Sequence, residues 1–476
     1  MLLRDPVHGL IAFEHEETSI VVRLLATPEV QRLRRIRQLG LTSLAFVGAE
    51  HTRFAHAVGA AHVMKLFVAR MRQLHGDLPF WQRLTSERAR DAYAAALLHD
   101  IGHGPLSHLF EDAVAHTRRV VAERRHRTSL GVTAAADGKP SPPSPPPRTR
   151  RHEEWTEQIL MDPGTGVHQA LVRDDPELPR RVTQLIYGEH PLPYLARAVS
   201  GTFDVDRCDY LLRDAHATGV GYGRYDLPWL LSTLRFGIPD EASSAPARDG
   251  AGAAAADLAR APGLAIDGRK GLSAIESFIL ARLFMFQQVY FHKSTRAAEW
   301  MIRMILTRAM HLLQDGTRLE RVPEALTAIA AGETPTLGAY LELDDQRLLE
   351  TLNGWRHAAD PVLADLCERL RQRDLFKTYE LFGERAEVGA RTEALQTLEA
   401  ICRDEGLDPD YYVGLDVARD TPYADDRSLS VIYPGRRPRH PAEVSFVLDR
   451  LRDETLSRVR LIFAPELKGR LREALD

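Results

Sequence analysis

Cysteine is nearly missing from this chain of 476 residues, which has three: Cys208, Cys367 and Cys402. Their spacing builds neither a disulfide framework nor a cysteine zinc cluster, and so few thiols suit a reducing compartment, the cytoplasm. A basic excess is missing too, with 62 Lys plus Arg against 66 Asp plus Glu and a formal charge of −4. Nucleic acid is therefore a disfavoured partner, because tracking a phosphate backbone usually needs a basic surface. The local cluster Arg32, Arg34, Arg35 and Arg37 reads first as a solvated helix face. The start, Met-Leu-Leu-Arg-Asp-Pro, lacks the apolar core of a secretory signal. No apolar run reads as a bilayer span, so no membrane partner is expected. What the chain does have is apolar residues, 44%, enough for a large core, and 19 histidines. The histidines that matter crowd into the first 216 residues.

The apolar spacing predicts a mainly α protein. Phe54, Val58, Ala61, Met64, Val68 and Met71 recur at helical intervals, so a helix runs from about 54 to the mid-70s. Thr27-Pro28-Glu29 reads as an N-cap with proline at the first helical position. Another helix opens at Ser86-Glu87 and stops at His99-Asp100-Ile101-Gly102, glycine being the expected terminator. Residues 204–218 and 271–314 read as further long helices. The proline-rich stretch within 127–150 reads as a mobile insertion. Residues 232–237 and 263–267 read as a hairpin whose low-complexity tip is 239–262. The expected division is a core over 1–230, the hairpin and long helices completing it over 231–320, and a C-terminal helical/α+β region over 321–476. In the last of these, 413–417 and 429–433 are the strongest strand candidates.

Four segments belong together: His51–His56, His99–His108, His152-Glu153-Glu154, and Asp204–Tyr210. On a regular helix His99 and Asp100 point apart, but at a helix end followed by glycine both can reach one point. A mixed imidazole and carboxylate set suits Mn, Fe, Ni or Zn, and tolerates Mg less well. Such an ion polarises a phosphoryl oxygen and lowers the pKa of bound water. His108 and His152 have the pKa range to move a proton. Asp206, Tyr210 and Asp214 stand at i, i+4 and i+8 on one helix face, as do Arg282, Phe286 and Tyr290. A face carrying Asp, Tyr and Asp is odd for packing and sensible for a polar pocket. Taken singly, His8, His15, His62 and His75 read as hydrogen-bonded core residues.

In order, these segments resemble the HD-domain dNTP triphosphohydrolases. The likeness starts at Asp5-Pro6-Val7-His8-Gly9, and runs through Thr27-Pro28, Gln31–Arg34 and Gln38-Leu39-Gly40. It then takes in the four segments and Asp204–Asp214, and ends at Arg282, Tyr290 and His292-Lys293. The resemblance implies an HD-domain helical phosphohydrolase core that converts a dNTP to deoxynucleoside and tripolyphosphate. It implies His56, His99, Asp100 and Asp206 as ligands of a divalent metal. It implies His108 as the donor to the departing 5′ oxygen, with Glu111 orienting it, and His103 and His152 lining the phosphate site. Arg53 and Arg207 would hold phosphate oxygens. Gln38 and Leu39 would sit beside the sugar, with Tyr210 and Asp214 opposite, and Arg282 and Tyr290 nearby. A homo-oligomer, dimer or tetramer, and a nucleotide activator are implied as well. Three positions depart from the pattern: Arg207 replaces a lysine, Glu111 an aspartate, and Phe286 a histidine near the substrate. Two alternatives stay open. One keeps the metal site but cuts nucleoside monophosphates or the ends of DNA or RNA. The other is a nucleotide-sensing regulator or defence component with weak catalysis.

Overall fold

The computed structural model describes residues 1–119, 150–237, 262–424 and 429–475. All of the expected 127–150 insertion except residue 150, and all of the 239–262 tip except residue 262, lie outside them.

The helical spacing around Phe54 becomes helix α1 (Arg53–Leu74), capped by Thr52, whose hydroxyl accepts from the Ala55 N–H. Val58, Ala61, Met64, Val68 and Met71 are buried, as the spacing predicts. Helix α2 (Ser86–Leu98) opens at Ser86 as expected and is capped by Thr85. Its run of Ala94, Ala95 and Ala96 is wholly buried. Small side chains there let α2 lie close against α1. Helix α3 starts at residue 108 and continues to the last described residue before the gap, 119. Helices α4 (His152–Met161) and α5 (Val205–Thr218) follow, and α5 packs on α1. Asp204 caps α5 by accepting from the Arg207 N–H at 2.8 Å, and Gly219 at φ +78° closes it.

The expected helix over 271–314 is broken. Helix α6 (Leu272–Met285) passes into a π turn over Phe286–Tyr290, in which the Phe291 N–H donates to Phe286 O, five residues back. A new helix, α7 (Lys293–Gln314), begins beyond it. Composition cannot show such an inserted residue, because the apolar spacing on either side is helical. The stretch Leu272–Tyr290 also corrects the membrane reading: by length and composition it passes for a span. Its Ile275, Phe278, Ile279 and Met285 are nevertheless buried among the other helices.

Sheets are small. Strands β1 (Leu2–Asp5) and β2 (Gly9–Ala12) form an antiparallel hairpin. The predicted pair becomes β3 (Leu234–Gly237) and β4 (Gly263–Asp267), antiparallel with Leu234 opposite Ile266. Strands β5 (Lys377–Leu381) and β6 (Val413–Asp420) flank β8 (Leu456–Phe463), antiparallel on both sides. The other expected strand, β7 (Leu429–Ile432), leaves that sheet and pairs parallel with β4.

Two local readings change. Gly102 does not adopt a left-handed conformation and is not a helix terminator. A Cβ there would lie 2.1 Å from His152 O and 2.4 Å from Thr156 N, so glycine is needed for α4 to approach. Arg32 is not on a solvated face. It is buried, donating to His103 O at 2.8 Å and to Leu343 O at 2.7 and 3.0 Å.

Candidate active site

Four side chains from three helices meet at one point: His56 from α1, His99 and Asp100 just past α2, and Asp206 from the first turn of α5. Each offers one ligand atom, and these atoms all lie within 4.8 Å of one another. His56 Nε2 is 3.0 Å from Asp206 Oδ1, 3.3 Å from His99 Nε2 and 3.6 Å from Asp100 Oδ2. His99 Nε2 is 3.4 Å from Asp206 Oδ1 and 3.5 Å from Asp100 Oδ2. Both imidazoles aim Nε2 inward because the other nitrogen is engaged. His56 Nδ1 pairs with Asp209 Oδ2 at 2.8 Å, and His99 Nδ1 with Ala96 O at 2.9 Å. That fixes the tautomer a divalent cation requires, so the set fits a resident metal.

Burial opposes a charge on His56, but Asp206 and Asp209 outweigh it and push its pKa up to about 10. His99 is raised as well, burial being overcome by Asp100 and Asp206. Asp100 is held well below the usual carboxylate range: Arg53, His99 and His103 overcome its burial. Without a cation the cluster therefore holds protons, and a divalent ion takes their place.

Asp209 is the hub behind the ligands. It is fully buried, and besides His56 it takes His8 Nε2 at 2.6 Å and Arg213 at 2.8 and 2.9 Å. Arg213 also donates to Asp5 Oδ2 at 2.7 Å, which ties the end of β1 to α5. Gly59 on α1 makes room for this hub, because a Cβ there would sit 1.9 Å from Asp209 Oδ1. His8, read as an ordinary core histidine, belongs to this support, and Asp209 had no assigned role. Neither partner is visible as sequence spacing, since residues 8, 56 and 209 meet only through packing.

A second cluster adjoins the first. His103, His108, Glu111 and His152 also bring ligand-type atoms within 4.8 Å of one another. The His103 and His152 rings stack at 3.9 Å, and His108 stands edge-on to both, at 4.6 and 5.1 Å. Glu111 reaches His152 Nδ1, Oε1 at 3.2 Å and Oε2 at 3.3 Å, rather than His108. His103 is 1% exposed and lies behind His152, not at the cavity wall. The His108 ring opens onto the cavity. The protein packed around it, then Arg53 and His152, hold its pKa below the ordinary histidine range.

Asp100, Asp206, His108 and His152 border a cavity of ≈ 460 Å³. Arg53 lines it, its guanidinium held by Asp100 and, at 2.7 Å, by Ser107 Oγ. Leu106 and Ser107 are both left-handed, at φ 56° and 61°. Leu106 N–H and Arg37 N–H donate to Asp345, at 2.6 and 2.9 Å, which holds this bent loop in place. Gln38, Leu39, Arg207, Tyr210, Asp214 and Tyr290 line the cavity as well. Arg207 is turned toward Asp204 and Gly201 O. Both Asp214 oxygens are engaged, by His51 Nε2 at 2.7 Å and Tyr290 Oη at 2.8 Å. Arg282 is not brought to the cavity. It donates to Pro422 O at 2.9 Å, faces Asp420 at 3.3 Å, and lies over the Phe286 ring at 5.3 Å.

The chain matches an HD domain model over residues 53–142 and a model of an HD-associated region over 260–326. It is 33% identical over 422 residues to the uncharacterized protein YwfO of Bacillus subtilis, spanning 89% of this chain and 80% of that one. It is 25% identical over 400 residues to the deoxynucleoside triphosphate triphosphohydrolase SAMHD1 of Gallus gallus, spanning 80% of this chain and 56% of that relative. A solved phosphohydrolase from Bacteroides thetaiotaomicron superposes with a TM-score of 0.72 at 26% identity, covering 97% of this chain and 99% of that one. A hypothetical protein from Aquifex aeolicus shares the fold, with a TM-score of 0.68 at 23% identity over the whole of both chains.

Proposed function

The chain belongs to the HD-domain family of dNTP triphosphohydrolase-like phosphohydrolases, and on that premise we propose that it hydrolyses dNTPs to deoxynucleoside and tripolyphosphate. The observation that carries this reading is the meeting of the two clusters at one cavity: four ligand-type side chains beside three imidazoles, two stacked and the third edge-on, with Arg53 held against Asp100.

A divalent cation held by His56, His99, Asp100 and Asp206 would supply Lewis acidity and a water acidic enough to attack at neutral pH. The chain's own residues do the rest. Arg53, fixed by Asp100 and Ser107, holds a phosphate oxygen beside the residues that would hold the metal. Arg207 swings from Asp204 to a second phosphate oxygen. His108 passes a proton to the departing 5′ oxygen. Its lowered pKa makes the protonated ring the readier donor, and the anionic substrate supplies the charge that favours protonation. His152, oriented by Glu111, keeps the His108 ring edge-on, and His103 backs it. Gln38 and Leu39 face the sugar opposite Tyr210. Asp214 acts mainly by holding Tyr290, and Arg282 supports Phe286 from outside. The same reading includes a homo-oligomer and a nucleotide activator, which size-exclusion chromatography with and without nucleotide would register.

The deciding experiment incubates the purified protein with each dNTP, each nucleoside monophosphate and a short oligonucleotide, in Mn or Mg, and resolves the products. Deoxynucleoside with tripolyphosphate supports the proposal. Inorganic phosphate or a shortened oligonucleotide moves the chemistry to a different phosphoester. Nucleotide binding without turnover under any metal points to a sensor.

A further inference from the structure

Four residues that line the cavity take no part in the proposed reaction: Phe291, Thr295, Arg296 and Glu299. Thr295 and Glu299 stand one turn apart on the first turns of α7, so they share one face, and Phe291 precedes that helix at the end of the π turn. Thr295 is 1% exposed, and its hydroxyl has no hydrogen-bond partner among the described residues. A buried hydroxyl left unpaired costs free energy unless a ligand completes it. Beside it, Arg296 Nη1 donates to Glu299 Oε2 at 2.6 Å, while Asp416 on β6 clamps the same guanidinium at 2.5 and 3.2 Å. The guanidinium is thus locked from behind, and the Glu299 carboxylate is fixed at the cavity wall as an acceptor.

An aromatic wall, a free hydroxyl and a fixed carboxylate suit a planar heterocycle that presents both an acceptor and two donors on one edge. We propose that Thr295 and Glu299 read the base of the nucleotide and favour guanine. Glu299 accepts from N1–H and the exocyclic amine, Thr295 donates to O6, and the base packs on the wall that Phe286 and Phe291 form together, edge to face at 5.6 Å. Adenine offers no N1–H to the carboxylate and presents an amine where O6 would be, and the pyrimidines do not reach as far. Arg296 is a positioning residue that sets the angle of the carboxylate. This rests on the nucleotide reading above, and it assigns that site a base preference.

The test measures equilibrium binding of dGTP, dATP, dCTP and dTTP by calorimetry, in Mn, on a His108→Ala background where turnover is slow. Thr295→Val and Glu299→Gln are compared with their parent, and hydrolysis of the same four nucleotides is followed separately with His108 intact. The expected result is dGTP bound about tenfold or more tighter than dATP, with either substitution removing that margin and leaving the other three within about twofold. Thermal melts and Mn content unchanged by Thr295→Val separate base reading from a folding defect. Equal binding of all four nucleotides, or a uniform loss in both variants, overturns the inference while hydrolysis keeps the proposed function. A guanine margin without hydrolysis upholds the inference and sinks the proposed reaction. No binding of any nucleotide overturns both.

Discussion

At the residue scale, the metal centre depends on a carboxylate that does not belong to it. Asp209 turns His56 to face the ligands and holds its own charge against Arg213 and His8. Asp209→Asn is expected to weaken Mn binding about 10- to 100-fold, measured by calorimetry, without removing any of the four ligands. Unaltered affinity would show that the His56 ring needs no such support. The pH dependence follows from the raised His56 pKa of about 10. In the metal-free protein this imidazole is protonated at neutral pH, so binding a cation must expel the proton. Metal affinity is therefore expected to rise with pH up to that pKa, and to fall as the solution is acidified. Calorimetry in two buffers of different ionisation enthalpy checks this, and identical heats in both would contradict it. That His56, His99, Asp100 and Asp206 converge, with His108 and His152 alongside, was legible in the sequence because they lie in short segments of recognisable order. Thr295 and Glu299 were not, since a polar residue once per turn on an otherwise apolar helix reads as an ordinary amphipathic face.

At the element scale, the loop between α2 and α3 keeps the two clusters in register. Leu106 and Ser107 are left-handed, and Asp345, more than 200 residues away, accepts from the Leu106 N–H while Arg32 anchors His103 O. Removing that acceptor in Asp345→Ala is expected to cost about 1–3 kcal/mol, read in a denaturant titration. Activity is expected to fall with it, because Arg53 leans on the same loop. A normal melt together with normal turnover would remove this loop from the account. Gly102→Ala forces a Cβ against the α4 backbone, and overpacking of about 1–3 kcal/mol is expected, seen as a lowered midpoint of thermal unfolding. Helix positions were readable here from apolar spacing. The π turn at Phe286–Tyr290 and the true role of Gly102 were not, because both depend on what packs against them rather than on local composition.

At the scale of the whole molecule, the helical class and the β3–β4 hairpin were legible, whereas the partner of β7 was not. A four-residue apolar strand carries no mark of which edge it will join, and β7 joins the hairpin instead of the nearer β6. Because the ligands come from helices α1, α2 and α5, a bound cation joins parts of the core that are distant in sequence. Stripping the metal with a chelator is expected to lower the melting temperature, and at about 100-fold excess over Kd the ion contributes about 2.7 kcal/mol. A melt indifferent to chelation would mean that the cation does not couple these helices. The contact from Asp5 through Arg213 to Asp209 carries the same coupling to the first residues of the chain. A cut or a bulky fusion near residue 8 would leave every ligand in place and still loosen their grip, so the grade of metal loading in a preparation becomes a gauge of whether its leading segment is seated.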